Sequence, residues 1–139
     1  MKRKVSDLMT RWPVALPLEA TLDEAARLMR DQGIGDVLVT AEGMLCGMLT
    51  DRDIVIRAVA QNLDLGHTAL SEVCTAQVVT VSADDDAAVA MELMRDRAIR
   101  RLPVVQGRQP VGIISLGDLA IEQDEQSALS EISKAPPNM

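Results

Sequence analysis

The chain is almost without aromatic residues: one Trp, no Tyr and no Phe in 139 residues. Its core must be assembled from Leu, Ile, Val, Met and Ala. Histidine occurs once, as His67 in NLDLGHTAL, with no Ser, Cys or metal-ligand set beside it, and reads as a linker residue. Cysteine occurs twice, as Cys46 and Cys74, without CxxC or Cys/His spacing. That argues against a structural zinc site and fits free thiols in a reducing compartment. Positive charge is scarce, with a net charge of −7. The deficit argues against non-specific nucleic-acid binding, which needs a basic footprint that the short MKRK start does not supply. Local basic clusters still suit a small anion. No run approaches the roughly 18 apolar residues of a membrane span, and the start lacks the apolar core of a signal peptide. No membrane partner is expected, and a cytoplasmic location is. A nucleophile–base pair, a metal cluster and a Walker-type glycine loop are absent as well, so the chain does not read as an enzyme. Asp84–Asp86 form too short a run for a calcium loop; they read as a helix cap with first-turn acids.

What is present is a repeat. GMLTDRD at 47–53 and GIISLGD at 112–118 share a glycine, two apolar residues, a hydroxyl and an aspartate three places on. They lie 65 residues apart (112 minus 47). The same offset lays SDLMT (6–10) on SEVCT (71–75) and LMRD (28–31) on LMRD (93–96). It also pairs Ile34 with Ile99 and Val39 with Val104, without a gap, which points to internal duplication.

Each copy reads as β-α-β-β-α. In the first, an extended run near Pro13–Leu16 precedes a helix over 21–31, with Gly33 as its end signal. Strands 36–40 and 44–49 flank an EG turn at 42–43, and a helix covers 51–61. In the second, the strand is 78–81, the helix 85–97, the strands 101–105 and 110–114, and a helix starts at 116. The spacing predicts an α+β fold of two tandem repeats packed sheet to sheet with approximate twofold symmetry, because so small a sheet cannot bury both faces alone. The divisions are 1–64, 65–122, and a helical extension with a frayed end over 123–139. Helices 22–29 and 87–94 are apolar over more than one stripe. Ala87, Ala90, Met91 and Met94 line one face and Val89 and Leu93 lie beside it. That surplus reads either as a homodimer contact or as a wide core-facing stripe padded with Ala.

Two such copies, each with Gly-apolar-apolar-Thr/Ser-x-x-Asp before a helix, and IRRLPVV at 99–105 ahead of the second, resemble a CBS-domain pair, or Bateman module. The run MLTDRDIVIR at 48–57 is similar to small stand-alone bacterial members. The resemblance covers about residues 1–122. It implies a pseudo-symmetric pair with two candidate sites that take adenosine-containing ligands: AMP, ADP, ATP or S-adenosylmethionine. It implies composite sites, with the Thr/Ser and Asp from one repeat and the lead segment and middle strand from the other. The first set is then Thr50 and Asp53 with Ile99, Arg100 and Arg101. The second, weaker set is Ser115 and Asp118 with Ile34, Gly35 and Asp36.

The residue types suit that chemistry. A helix N-terminus offers unpaired amides and partial positive charge to an anion. A Thr or Ser hydroxyl can donate to a phosphate oxygen, and an aspartate can accept from both hydroxyls of a ribose. Gly47 and Gly112 permit a close backbone approach or a bulge. Adenine would lie between aliphatic side chains. Arg100 and Arg101 favour phosphate in the first set, whereas Asp36 repels it in the second, leaving that set empty or fit for a nucleoside. The same patterns also read as plain helix N-caps, and the arginines as a solvated pair. The functional expectation is a regulatory module with no required cofactor, sensing an adenosyl ligand and signalling to an unnamed partner protein. The rival is a dimeric structural or interaction module with no nucleotide ligand. They differ in whether Thr50, Asp53 and Arg100 converge on open space.

Overall fold

The computed structural model describes residues 3–123. The expected continuation of the last helix and the frayed end fall beyond the described residues. In chain order the elements are α1 (Val5–Leu8), β1 (Thr10–Arg11), β2 (Ala15–Pro17), α2 (Leu22–Gln32), β3 (Asp36–Ala41), β4 (Met44–Thr50), α3 (Asp51–Asp53, continued by a π-helical stretch Ile54–Val59), β5 (Val81–Ser82), α4 (Ala87–Arg97), β6 (Arg101–Gln106), β7 (Gln109–Ser115) and α5 (Leu116–Gln123), with a 3-10 turn at Leu70–Glu72. Both repeats are α+β and share the β-α-β-β-α order; α1 and β1 have only the 3-10 turn and an isolated bridge at Thr75 as counterparts. The strand expected at 78–81 is shifted: only Val81 and Ser82 pair, opposite Val104 and Val105. The α1 turn was not anticipated from the sequence.

The described chain divides into two compact units, 13–78 and 3–12 with 79–123. In the first, β2 runs parallel to β3 and β3 antiparallel to β4. Alternation sends Val37, Val39 and Leu49 to a core shared with Leu22, Ala25 and Met29 of α2 and with Leu70 and Val73. The second unit has the order β1-β7-β6-β5. Its core joins Leu102, Val104 and Ile114 to Ala87, Ala90 and Met94 of α4 and Val5 of α1. Helix α4 thus sends three of its surplus apolar residues into its own core, with Met91 and Leu93 packed against that core and Val89 38% exposed.

Local chemistry sets the element ends. The EG turn has positive φ at both Glu42 (52°) and Gly43 (79°), the pairing that a tight two-residue hairpin requires. Helix α2 ends on Gly33 in the left-handed region, at φ 66°. Its counterpart α4 ends on Ala98 at φ 54°, where a Cβ makes that conformation costly. Asp84–Asp86 act differently from expectation. Asp85 accepts from Ser82 N at 3.0 Å, and Asp86 is the N-cap residue of α4 without a side-chain cap bond. Acids are missing from the first helical turn, because the run ends one residue before the helix begins.

The first helical amides are instead served by the lead segments, which are exchanged between repeats. Arg3 O accepts from Ala87 N at 2.8 Å, and Thr68 O accepts from Leu22 N at 3.0 Å. Val5 N donates to Asp85 O, and Leu70 N to Ala20 O, both at 2.8 Å. Each contact has its partner at the 65-residue offset. SDLMT therefore folds onto the second repeat and SEVCT onto the first. β1 pairs antiparallel with β7, and Thr75 bridges Met48 of β4.

Candidate functional site

At both strand-to-helix junctions the hydroxyl and the carboxylate close a reciprocal box. Thr50 N donates to Asp53 Oδ2 at 3.0 Å, and Asp53 N donates to Thr50 Oγ1 at 3.0 Å. Ser115 N donates to Asp118 Oδ2 at 2.8 Å, and Asp118 N donates to Ser115 Oγ at 3.2 Å. These are complete capping boxes, so the cap reading holds at both junctions. A cap does not consume the groups. Each hydroxyl, having accepted, keeps its hydrogen to donate, and each aspartate keeps its second oxygen.

The backbone behind the boxes is also repeated. Asp51 N donates to Gly35 O at 2.9 Å, and Leu116 N donates to Arg100 O at 2.8 Å. Strand register sets Asp36 directly across from Thr50 and Arg101 directly across from Ser115. Cross-strand partners share a face. The first box thus has an acidic neighbour within its own unit and the second a basic one. Asp36 is buried while Arg100 and Arg101 are exposed, and Ile34 and Ile99 are half-buried. Arg100 and Arg101 belong to the unit that holds Ser115 and Asp118, whereas Ile34, Gly35 and Asp36 belong with Thr50 and Asp53.

Gly47 and Gly112 serve the exchanged segments. A Cβ on Gly47 would lie 2.7 Å from Thr75 O and 3.0 Å from Cys74 Sγ. One on Gly112 would lie 2.8 Å from Thr10 O and 2.6 Å from Met9 Sδ. Both expectations for these glycines are met, since the β3–β4 and β6–β7 registers each shift beside them.

Sequence reading passed over Arg57, although its spacing of four from Asp53 marked it. Its Nε lies 3.8 Å from Asp53 Oδ1, and its Nη1 donates to Val73 O at 3.1 Å. Nearby, burial pushes the Cys74 thiol up from its ordinary pKa, with smaller contributions from Asp53 and Cys46. His67 lies in an exposed loop, its Nδ1 2.9 Å from Asp64 Oδ2. Trp12 is 90% exposed. Val55, Ile56 and Val59 project from α3, each at least half exposed. No helix among the described residues is long and apolar enough to cross a membrane.

Comparison with known proteins agrees with this geometry. The sequence profile of the CBS domain matches residues 5–59 and again 70–124. A CBS domain-containing protein of Bacillus subtilis, YhcV, is 41% identical over 133 residues, covering 93% of this chain and 94% of its own. The crystal structure of Hypoxic Response Protein I with two coordinated zinc ions superposes with a TM-score of 0.79 at 30% identity, over 86% of this chain and 98% of that one. The CBS pair of MJ0100, solved with 5-methylthioadenosine and S-adenosyl-L-methionine, gives a TM-score of 0.77 at 25% identity, over 91% of this chain and all of that one. With two matched repeats covering most of its length, the chain belongs to the CBS-domain family and carries a CBS pair, a regulatory module.

Proposed function

We propose that this CBS pair is a sensor of an adenosine-containing ligand and acts on a partner protein in trans rather than as an enzyme. The observation that carries the reading is the doubled box. Thr50–Asp53 and Ser115–Asp118 each offer a hydroxyl hydrogen and a carboxylate oxygen at a helix N-terminus. A carboxylate that accepts from both hydroxyls of a ribose, beside a hydroxyl that donates to phosphate, is the recognition such a pair can perform. The S-adenosylmethionine and methylthioadenosine bound by a neighbour of the same fold support that ligand class.

In the proposed first set, Thr50 and Asp53 act with Ile99, Arg100 and Arg101, whose guanidinium groups take the phosphate. In the second, Ser115 and Asp118 act with Ile34 and Gly35 on a less anionic ligand. Arg101 stands opposite Ser115, so a rival assignment gives the arginines to the second box, where Asp118→Asn rather than Asp53→Asn would abolish binding. Ligand binding would act by linkage, shifting the population of one arrangement of the protein or of a homodimer. A second reading, an interaction module without a nucleotide ligand, is favoured by the exposed Val55, Ile56 and Val59.

A thermal-shift series with AMP, ADP, ATP, adenosine and S-adenosylmethionine tests the sensor reading. A ligand at a hundred times its Kd adds about 2.7 kcal/mol, a rise in Tm of several degrees. A flat series from the folded protein would remove the sensor reading and leave the interaction module.

A further inference from the structure

Arg57 spans two parts of the 13–78 unit. On one side its Nε stands 3.8 Å from Asp53 Oδ1, the carboxylate oxygen that the capping box leaves over. On the other its Nη1 donates to Val73 O at 3.1 Å. Val73 is 3% exposed and sits in the strap of residues 70–75 that the second repeat lends to the first. That strap is held at its end by Thr75, which exchanges hydrogen bonds with Met48 at 2.9 and 3.0 Å. Past residue 78 the chain enters the other unit. One side chain therefore touches both the candidate ribose acceptor and the strap that leads out of the unit.

The second repeat carries no arginine at the matching position. The 65-residue offset carries Arg57 onto position 122, which is Glu122. A glutamate there has no guanidinium to share between a carboxylate and a carbonyl.

We infer that Arg57 is a positioning residue that couples occupancy of the first box to the docking of residues 70–75. The inference rests on the ligand reading proposed above. Arg57 holds Asp53 Oδ1 by charge at a separation too long for a direct hydrogen bond. A ribose hydroxyl donating to Oδ1 takes over part of that negative charge. The guanidinium is then held less by Asp53, and its bond to Val73 O is the contact that responds. Reciprocity follows: whatever loosens the strap changes affinity at Asp53 by the same factor.

The test uses the full chain with AMP and S-adenosylmethionine as probes. Affinity is read by calorimetry, and amide exchange of Thr75 by NMR with and without the bound probe. Arg57→Met keeps the aliphatic stem and removes charge and donors. It should tighten binding by up to about threefold, the scale of a partly exposed ion pair with which the ligand no longer competes for Oδ1, and abolish the ligand-dependent change at Thr75. Arg57→Lys keeps the charge and loses the fork. It should bind close to wild type with a reduced response at Thr75, which also guards against a variant that merely unfolds. Arg30→Met, at an exposed arginine of α2 that pairs with Asp31 and belongs to neither box, should leave the response intact. Wild-type binding with an unchanged Thr75 response in Arg57→Met overturns the coupling and leaves the sensor reading standing. Failure of both probes to bind the wild type overturns the sensor reading, and the coupling with it.

Discussion

Replacing Gly47 with Ala should destabilise the protein by far more than one methyl group suggests. The added Cβ meets Thr75 O at 2.7 Å and Cys74 Sγ at 3.0 Å. The nearer atom is backbone, and it accepts from Met48 N at 3.0 Å. The strap must lift or β4 must bend. Lifting strains or breaks the two Met48–Thr75 hydrogen bonds, worth about 1 kcal/mol each. Overpacking adds about 1–3 kcal/mol, against which Ala returns about 0.5–1 kcal/mol of backbone entropy in a strand. The net is about 3 kcal/mol. Gly112→Ala should behave alike, because Met9 Sδ can swing aside but Thr10 O, at 2.8 Å, cannot. Urea unfolding measures both, and amide exchange at Thr75 locates the damage. A loss below about 0.5 kcal/mol in Gly47→Ala, with Thr75 still protected, would refute the role given to the close approach.

Other outcomes follow from single sites. Ala98→Gly should stabilise by about 1 kcal/mol, since Ala98 ends α4 at φ 54°, where its counterpart is Gly33; a Tm rise of a few degrees checks it. Thr50→Ala and Ser115→Ala should each cost about 1 kcal/mol through the lost cap, read by urea unfolding with or without any ligand. Asp64 is held below the usual carboxylate range by the His67 hydrogen bond and then by Gly66 N, and Asp23 by Thr21 and then by Arg27. Both folded pKa values are lowered, so their contribution is complete above the unfolded carboxylate pKa and lost as pH falls through the lowered one. Exchange at the Leu22 and Asp23 amides, which donate to Thr68 O and Leu65 O, should therefore quicken on acidification below about pH 4, beyond the intrinsic exchange trend. The Cys74 thiol, raised by burial, should react with a thiol-specific disulfide reagent at pH 8 more slowly than a small free thiol.

Much of this was legible in the sequence for physical reasons. The period of Leu22, Ala25 and Met29 and the β-rich runs on either side of the EG turn are strong local signals, and they placed these elements within about two residues. The hydroxyl–aspartate boxes were visible because a cap needs those types at that spacing. The exchange of lead segments was not visible. The offset matches SDLMT to SEVCT but carries no information on which copy each folds against, since a backbone amide that serves Asp85 O is the same in any residue. Arg57 was missed for a related reason. Its link to Asp53 is a local spacing, but its link to the Val73 carbonyl depends on where the strap runs. The pairing of Arg100 and Arg101 with Thr50 rests on family resemblance, while the β6–β7 register sets Arg101 opposite Ser115.

The most direct measurement is calorimetric titration of nucleotide-stripped protein with AMP, ATP and S-adenosylmethionine, run in parallel on Asp53→Asn and Asp118→Asn. Asn keeps the shape of each box and one acceptor oxygen but removes the charge. The expected result is saturable micromolar binding of a phosphate-bearing ligand that Asp53→Asn abolishes and Asp118→Asn retains. Flat titrations for all three ligands with the folded wild-type protein would contradict it.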